Sequence, residues 1–172
     1  LPPNSVSADN PVATFDFVLE GAEKYILIAN GLITPENEDV LFNLYPYAPA
    51  REMAQNAENV DVLIFHGSTD APAVDLFEVS DGSQQVWNDL EYSDFTGYLP
   101  LPVDNYSLQI RDASGTNKVA QYSIPLETYN AGGQAVTIVA SGFLAPVSAA
   151  QAQFGLWAAL PTGGALIELP QE

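Results

Sequence analysis

Cysteine is absent from this 172-residue chain, so neither disulfides nor thiolate chemistry is at work, and stability must come from an apolar core or from assembly. Positive charge is nearly absent too. Lys24, Lys118, Arg51 and Arg111 stand against 22 Asp and Glu, a formal net charge of -18. A field of that sign repels phosphate backbones and anionic headgroups, which sets aside nucleic acid and electrostatic membrane attachment. Few basic residues also mean few tryptic sites, as suits a protein exposed to extracellular proteases; adaptation to high salt accounts for the same composition. No apolar run approaches the roughly 18 residues that cross a bilayer, so no membrane insertion is expected. Leu1 is followed by Pro2 and Pro3, without an initiator Met or a basic-then-apolar leader. The expectation is a mature extracellular or cell-surface form whose targeting segment has been removed.

What is present is strand-forming. Hydrophobic residues make up 47% of the chain, with 8 Tyr, 8 Phe and 2 Trp. Short apolar stretches recur at 13–19, 24–31, 40–46, 60–66, 73–79, 84–88, 95–101, 105–111, 117–124, 134–142, 153–159 and 164–169, separated by turn formers such as Asp81-Gly82-Ser83 and Ala131-Gly132-Gly133. That spacing predicts an all-β fold, an immunoglobulin-like antiparallel sandwich. Residues 25–28 and 135–140 are apolar throughout, which predicts central strands covered on both faces. The one stretch with helical character is 50–57, a turn or two of helix or a linker.

The chain also repeats itself. Residues 25–35, YILIANGLITP, return at 136–146 as VTIVASGFLAP, at an offset of 111. Phe42, Leu44, Tyr45 and Pro49 match Phe154, Leu156, Trp157 and Pro161 at an offset of 112. The first copy has no counterpart of residues 60–122 before it. The predicted organisation is therefore an extended arm at 1–12, an incomplete half-module of about three strands at 13–50, a linker at 51–57 and a complete sandwich at 58–172.

Residues 66–75, HGSTDAPAVD, resemble the signature of the secreted bacterial and archaeal family known as domain of unknown function 4397, which typically reads HASPDAPAVD. Leu99-Pro100-Leu101-Pro102 with Tyr106 is similar to a later element of that family, Leu-Pro-x-Gly-x-Tyr before a strand. This chain departs at Ser68-Thr69, where Pro is usual, and at Asp104-Asn105, where Gly is usual. The resemblance implies secreted or surface-anchored β-sandwich modules, often in tandem, with no catalytic activity attached.

Candidate chemistry is sparse. His66 precedes Ser68 and Asp70, but a catalytic triad needs those groups to converge, and no Gly-x-Ser-x-Gly elbow accompanies them. The expectation is that the imidazole ties down the following turn and that the protein is not an enzyme. Asp70 and Asp75 are the residues that would seed a calcium site, with the acidic stretch 36–39 beside them as a candidate; no other cofactor is expected. Trp87, Tyr92 and Tyr98, with Phe95, are candidates for stacking a sugar. Phe15, Phe17, Leu19, Ile26 and Ile28 form the apolar face that a half-module leaves uncovered.

Strand addition from another copy satisfies both an open edge and an open face. The expected function is a secreted structural subunit that self-associates into an extracellular filament, matrix or surface layer. The alternative is a monomeric module binding a surface glycan or protein.

Overall fold

The computed structural model describes residues 11, 13–34 and 40–172. The expected arm at 1–12, Pro11 aside, and the acidic stretch 36–39 lie outside the described residues. The chain divides into two compact units, Leu1–Ala50 and Arg51–Glu172.

The second unit is an all-β sandwich. Its five-stranded sheet has the order β11 (Ile167–Glu168), β10 (Gly155–Ala159), β9 (Ala135–Ser141), β3 (Asn59–His66), β6 (Leu99–Pro102). Its four-stranded sheet has the order β5 (Gln84–Leu90), β4 (Val74–Glu78), β7 (Asn105–Asp112), β8 (Lys118–Pro125). Neighbours are antiparallel except at the centre of the larger sheet, where β3 and β9 run parallel with Ile64 opposite Ile138. Between the sheets lies one core cluster. Val60, Val62, Ile64, Val136, Ile138 and Leu156 from one side meet Leu76, Leu108, Ile110, Tyr122 and Ile124 from the other. β9 is the central strand that its unbroken apolar run predicts, flanked by β3 and β10.

The free edges of this unit are blunted. Even-numbered residues of β3 face β6, since Thr96 N–H donates to Ile64 O and His66 N–H to Asp94 O. Val60 and Val62 therefore pair with Leu101 and Leu99, which leaves Pro100 and Pro102, with no N–H to offer, pointing to solvent. The outer side of β8 is occupied by the chain's last described residues, through Ser123 N–H to Pro170 O and Glu172 N–H to Gln121 O. β5 is bulged against β4 and rich in Gln and Asn. β11 is two residues long. All four devices discourage edge-to-edge pairing.

The described residues of the first unit form one hairpin, β1 (Ile26–Asn30) antiparallel to β2 (Asn43–Tyr47). Its register reproduces β9/β10 pair for pair: Ile28 opposite Tyr45 corresponds to Val139 opposite Trp157, and Asn30 opposite Asn43 to Ser141 opposite Gly155. Even the loop exits agree. Gly31 and Gly142 both take left-handed backbone, at φ 103° and 88°, and a β-carbon on either would strike the opposing backbone.

Two expectations fail here. The apolar run of 25–28 does not become a central strand, because β1 has a ladder partner on one side only and Leu27 is 49% exposed. Residues 13–19 alternate like a strand yet join no ladder. The reason is common to both: β3 and β7, which in the second unit pair with β9 and β8, have no counterpart among the described residues of the first. Of the two readings open for 50–57, helix or linker, no helix forms. Residues 51–58 run as bends and a turn pinned to the sandwich by Ala54 N–H to Gly133 O and a bridge from Met53 to Gln134.

Candidate functional site

β3 carries Val60 to Phe65 through the core and delivers His66 to its end, where the chain turns out of the sheet. The exit is held on both sides, by Ser93 N–H to His66 O and by Gly67 N–H to Ala140 O. Ser68, fully buried, shares its hydroxyl between Gly142 O at 2.8 Å and Asp70 Oδ1 at 3.2 Å. Asp70 Oδ1 accepts from Leu144 N–H and Oδ2 from Ala145 N–H, both at 2.8 Å. Charge-assisted bonds of this length are the stronger kind. The Ser-x-Asp turn is thus a clasp: side chains that follow β3 grip the loop that follows β9.

His66 completes it. Nδ1 accepts the Ser68 N–H across a long 3.4 Å, so Nε2 carries the hydrogen and donates to Pro72 O at 3.2 Å. Burial, with 2% of the residue exposed, pushes the imidazole below its ordinary pKa of 6.5, against smaller upward pulls from the Pro72 carbonyl and Asp94. The ring ties down the turn, and the Ser68 hydroxyl bonds to Gly142 O and Asp70 rather than to the imidazole.

The other expected residues do not converge. Asp75, also buried, accepts the N–H of Asp89, a residue at positive φ in the β4–β5 bulge. Asp70 and Asp75 each serve separate backbone donors, and among the described residues no group of three or more acidic or histidine side chains is placed to hold a metal ion. Trp87 packs on the core. Tyr92 meets His66 edge-on with ring centroids 6.5 Å apart, Phe95 packs on Phe65 at 4.7 Å, and Tyr98 lies under the Arg51 guanidinium at 4.6 Å. Each aromatic has its own contact, and the three stacking candidates share no platform. A cavity of about 50 Å³ beside His66 is lined by Ile64, Val74, Leu108 and Leu156 and is a gap in the apolar core.

One polar cluster escapes the sequence reading. Asp61, 1% exposed near the start of β3, takes Arg51 Nη1 at 2.8 Å and Gln55 N–H at 3.1 Å on Oδ2. Arg51 N–H in turn donates to the Tyr98 hydroxyl. The signal was a lone acid inside an apolar strand, which burial obliges to find a cation.

In the first unit no described residue is buried. Phe15 rests on Phe42 at 5.9 Å, much as Tyr122 rests on Phe154, the offset partner of Phe42, at 6.1 Å. Ile26 and Ile28 are half-buried, while Phe17, Val18 and Leu19 are 39%, 98% and 56% exposed. Leu27 lies opposite Pro46, which has no N–H, so this pair is not the hydrogen-bonded kind. The N–H groups of Leu27 and Ala29 therefore point away from β2, to a side with no ladder partner among the described residues. The outer edge of β2 is interrupted by Pro46, whereas β1 carries neither proline nor charge on its open edge.

The model of the family described as Domain of unknown function (DUF4397) matches residues 60–156. The chain belongs to this family. No curated protein and no solved structure matches it. The DUF4397 match begins on β3 and ends on β10, so it includes both the clasp and the loop the clasp grips. In this chain Ser68 and Asp70 thus join the front strands of the matched region to its rear hairpin, and His66 holds the turn between them through Pro72.

Proposed function

We propose that this chain is a secreted structural subunit that self-associates by β-strand addition at its N-terminal unit, building an extracellular filament, matrix or surface layer. One observation carries the reading. The β1/β2 hairpin reproduces β9/β10 in register, but among the described residues β1 has no neighbour like the one β9 finds in β3, and no described residue of the unit is buried. The first unit reads as the rear half of a DUF4397 module, with 13–19 in the place of β8. A hairpin alone is marginal in water, so its open edge and the apolar face of Phe15, Phe17, Leu19, Ile26 and Ile28 favour completion by another copy. Contacts between unlike surfaces propagate unless the rotation closes a ring. The blunted edges of the second unit direct such contacts to the first. Extracellular placement is supported by the acidic, Lys- and Arg-poor composition, which offers few tryptic sites.

Electron microscopy and size-exclusion chromatography at rising concentration test this. Elongated or ring assemblies are expected; a monodisperse 18.4 kDa species at the highest concentration removes the proposal.

A further inference from the structure

We propose that the open edge of β1 is a docking site for the front segment of another DUF4397 module: a strand parallel to β1, apolar on both faces, with an acid near its start and a Ser-x-Asp turn at its end. This rests on one part of the reading above, that the first unit is the rear half of a module.

The internal repeat supplies the docking geometry. In the second unit β3 lies parallel to β9 with Asp61 opposite Ala135, Ile64 opposite Ile138 and His66 opposite Ala140. Shifted by the offset of 111, those positions on β9 become Lys24, Leu27 and Ala29. Leu27 and Ala29 are the residues whose N–H groups face the open side. The incoming acid meets Lys24, one of only four basic residues in the chain, which matches charge at the start of the strand.

The clasp has its receptors as well. Ser68 and Asp70 grip Gly142 O, Leu144 N–H and Ala145 N–H; the corresponding positions are Gly31, Ile33 and Thr34, and Gly31 shares the left-handed backbone of Gly142. Strand register, charge and loop geometry thus all select the same occupant. β1 is the site because the edges of β2, β5, β6, β8 and β11 are interrupted, bulged, occupied or short.

The absence of cysteine gives a clean test. The full chain carrying Leu27→Cys is oxidised with a synthetic peptide of residues 58–72 carrying Ile64→Cys. A covalent adduct is expected, and a peptide with Val60→Cys instead, four residues out of register, gives none. Ala29→Cys with a His66→Cys peptide is a second in-register pair, in case Leu27→Cys disturbs the hairpin. Peptides with Ser68→Ala and Asp70→Ala are captured about tenfold more weakly, the effect of losing roughly one charge-assisted bond. Equal yields from in-register and out-of-register peptides, or no adduct with either pair, overturn the inference. The two readings fail separately: a chain that polymerises but takes no peptide loses the docking site, and a monomeric chain that takes the peptide in register loses the polymer.

Discussion

His66 shows how much one buried ring can hold. Its neutral form accepts from Ser68 and donates to Pro72, and a second proton on Nδ1 breaks the first bond. Because the folded-state pKa lies below 6.5, unfolded chains take up a proton in an interval where folded chains do not. Stability is therefore expected to fall as pH drops through 6.5 toward the folded value. Urea unfolding of the parent and of His66→Gln should show a difference that shrinks across that interval; a pH-independent difference refutes the assignment. Arg51 makes the complementary case, since removing it strands the Asp61 carboxylate in the core. Arg51→Met is expected to cost about 3 kcal/mol, read from the urea midpoint, while a change under about 1 kcal/mol means that solvent reaches Asp61. The histidine's structural role was legible in the sequence from its place before an Asp-Ala-Pro turn. The clasp beside it was not, because Asp70 serves backbone donors 74 and 75 residues away, which spacing along the chain does not reveal.

At the level of elements, β1 and β9 have nearly the same apolar pattern and different fates. Periodicity records which faces of a strand tolerate burial; whether a neighbour exists to bury them depends on the rest of the sheet. That is why strand positions were largely legible while the centrality of β1 and the pairing of 13–19 were not. The repeat was the more informative signal, as its single indel falls in the loop between the paired strands and the register on either side is kept. β6 shows the opposite control. Replacing Pro100 with Val and Pro102 with Thr restores two outward N–H donors beside apolar Leu99 and Leu101. Light scattering is expected to show new association of the variant, and an unchanged monodisperse second unit would mean that proline is not what guards this edge.

For the whole molecule, every described residue that is buried lies in one unit. A fragment of residues 51–172 is expected to unfold cooperatively, with a midpoint close to that of the full chain, whereas residues 1–50 alone should give no cooperative transition by circular dichroism. A cooperative transition in the shorter fragment would show that the hairpin is self-sufficient. A net charge of -18 opposes any close approach of copies, so assembly should strengthen as salt shortens the screening length to about 10 Å at 0.1 M. The parallel seam of β3 and β9 adds a consequence in time. Ile64 and Ile138 are 74 positions apart (138 minus 64), and pairing segments so distant is slow because a large loop must close before any contact rewards it. Local hairpins form earlier, so the nascent module waits longest with its halves shaped and its seam unsealed. A shortage of Lys and Arg then leaves few sites for a trypsin-like protease during that wait, when the backbone is most accessible.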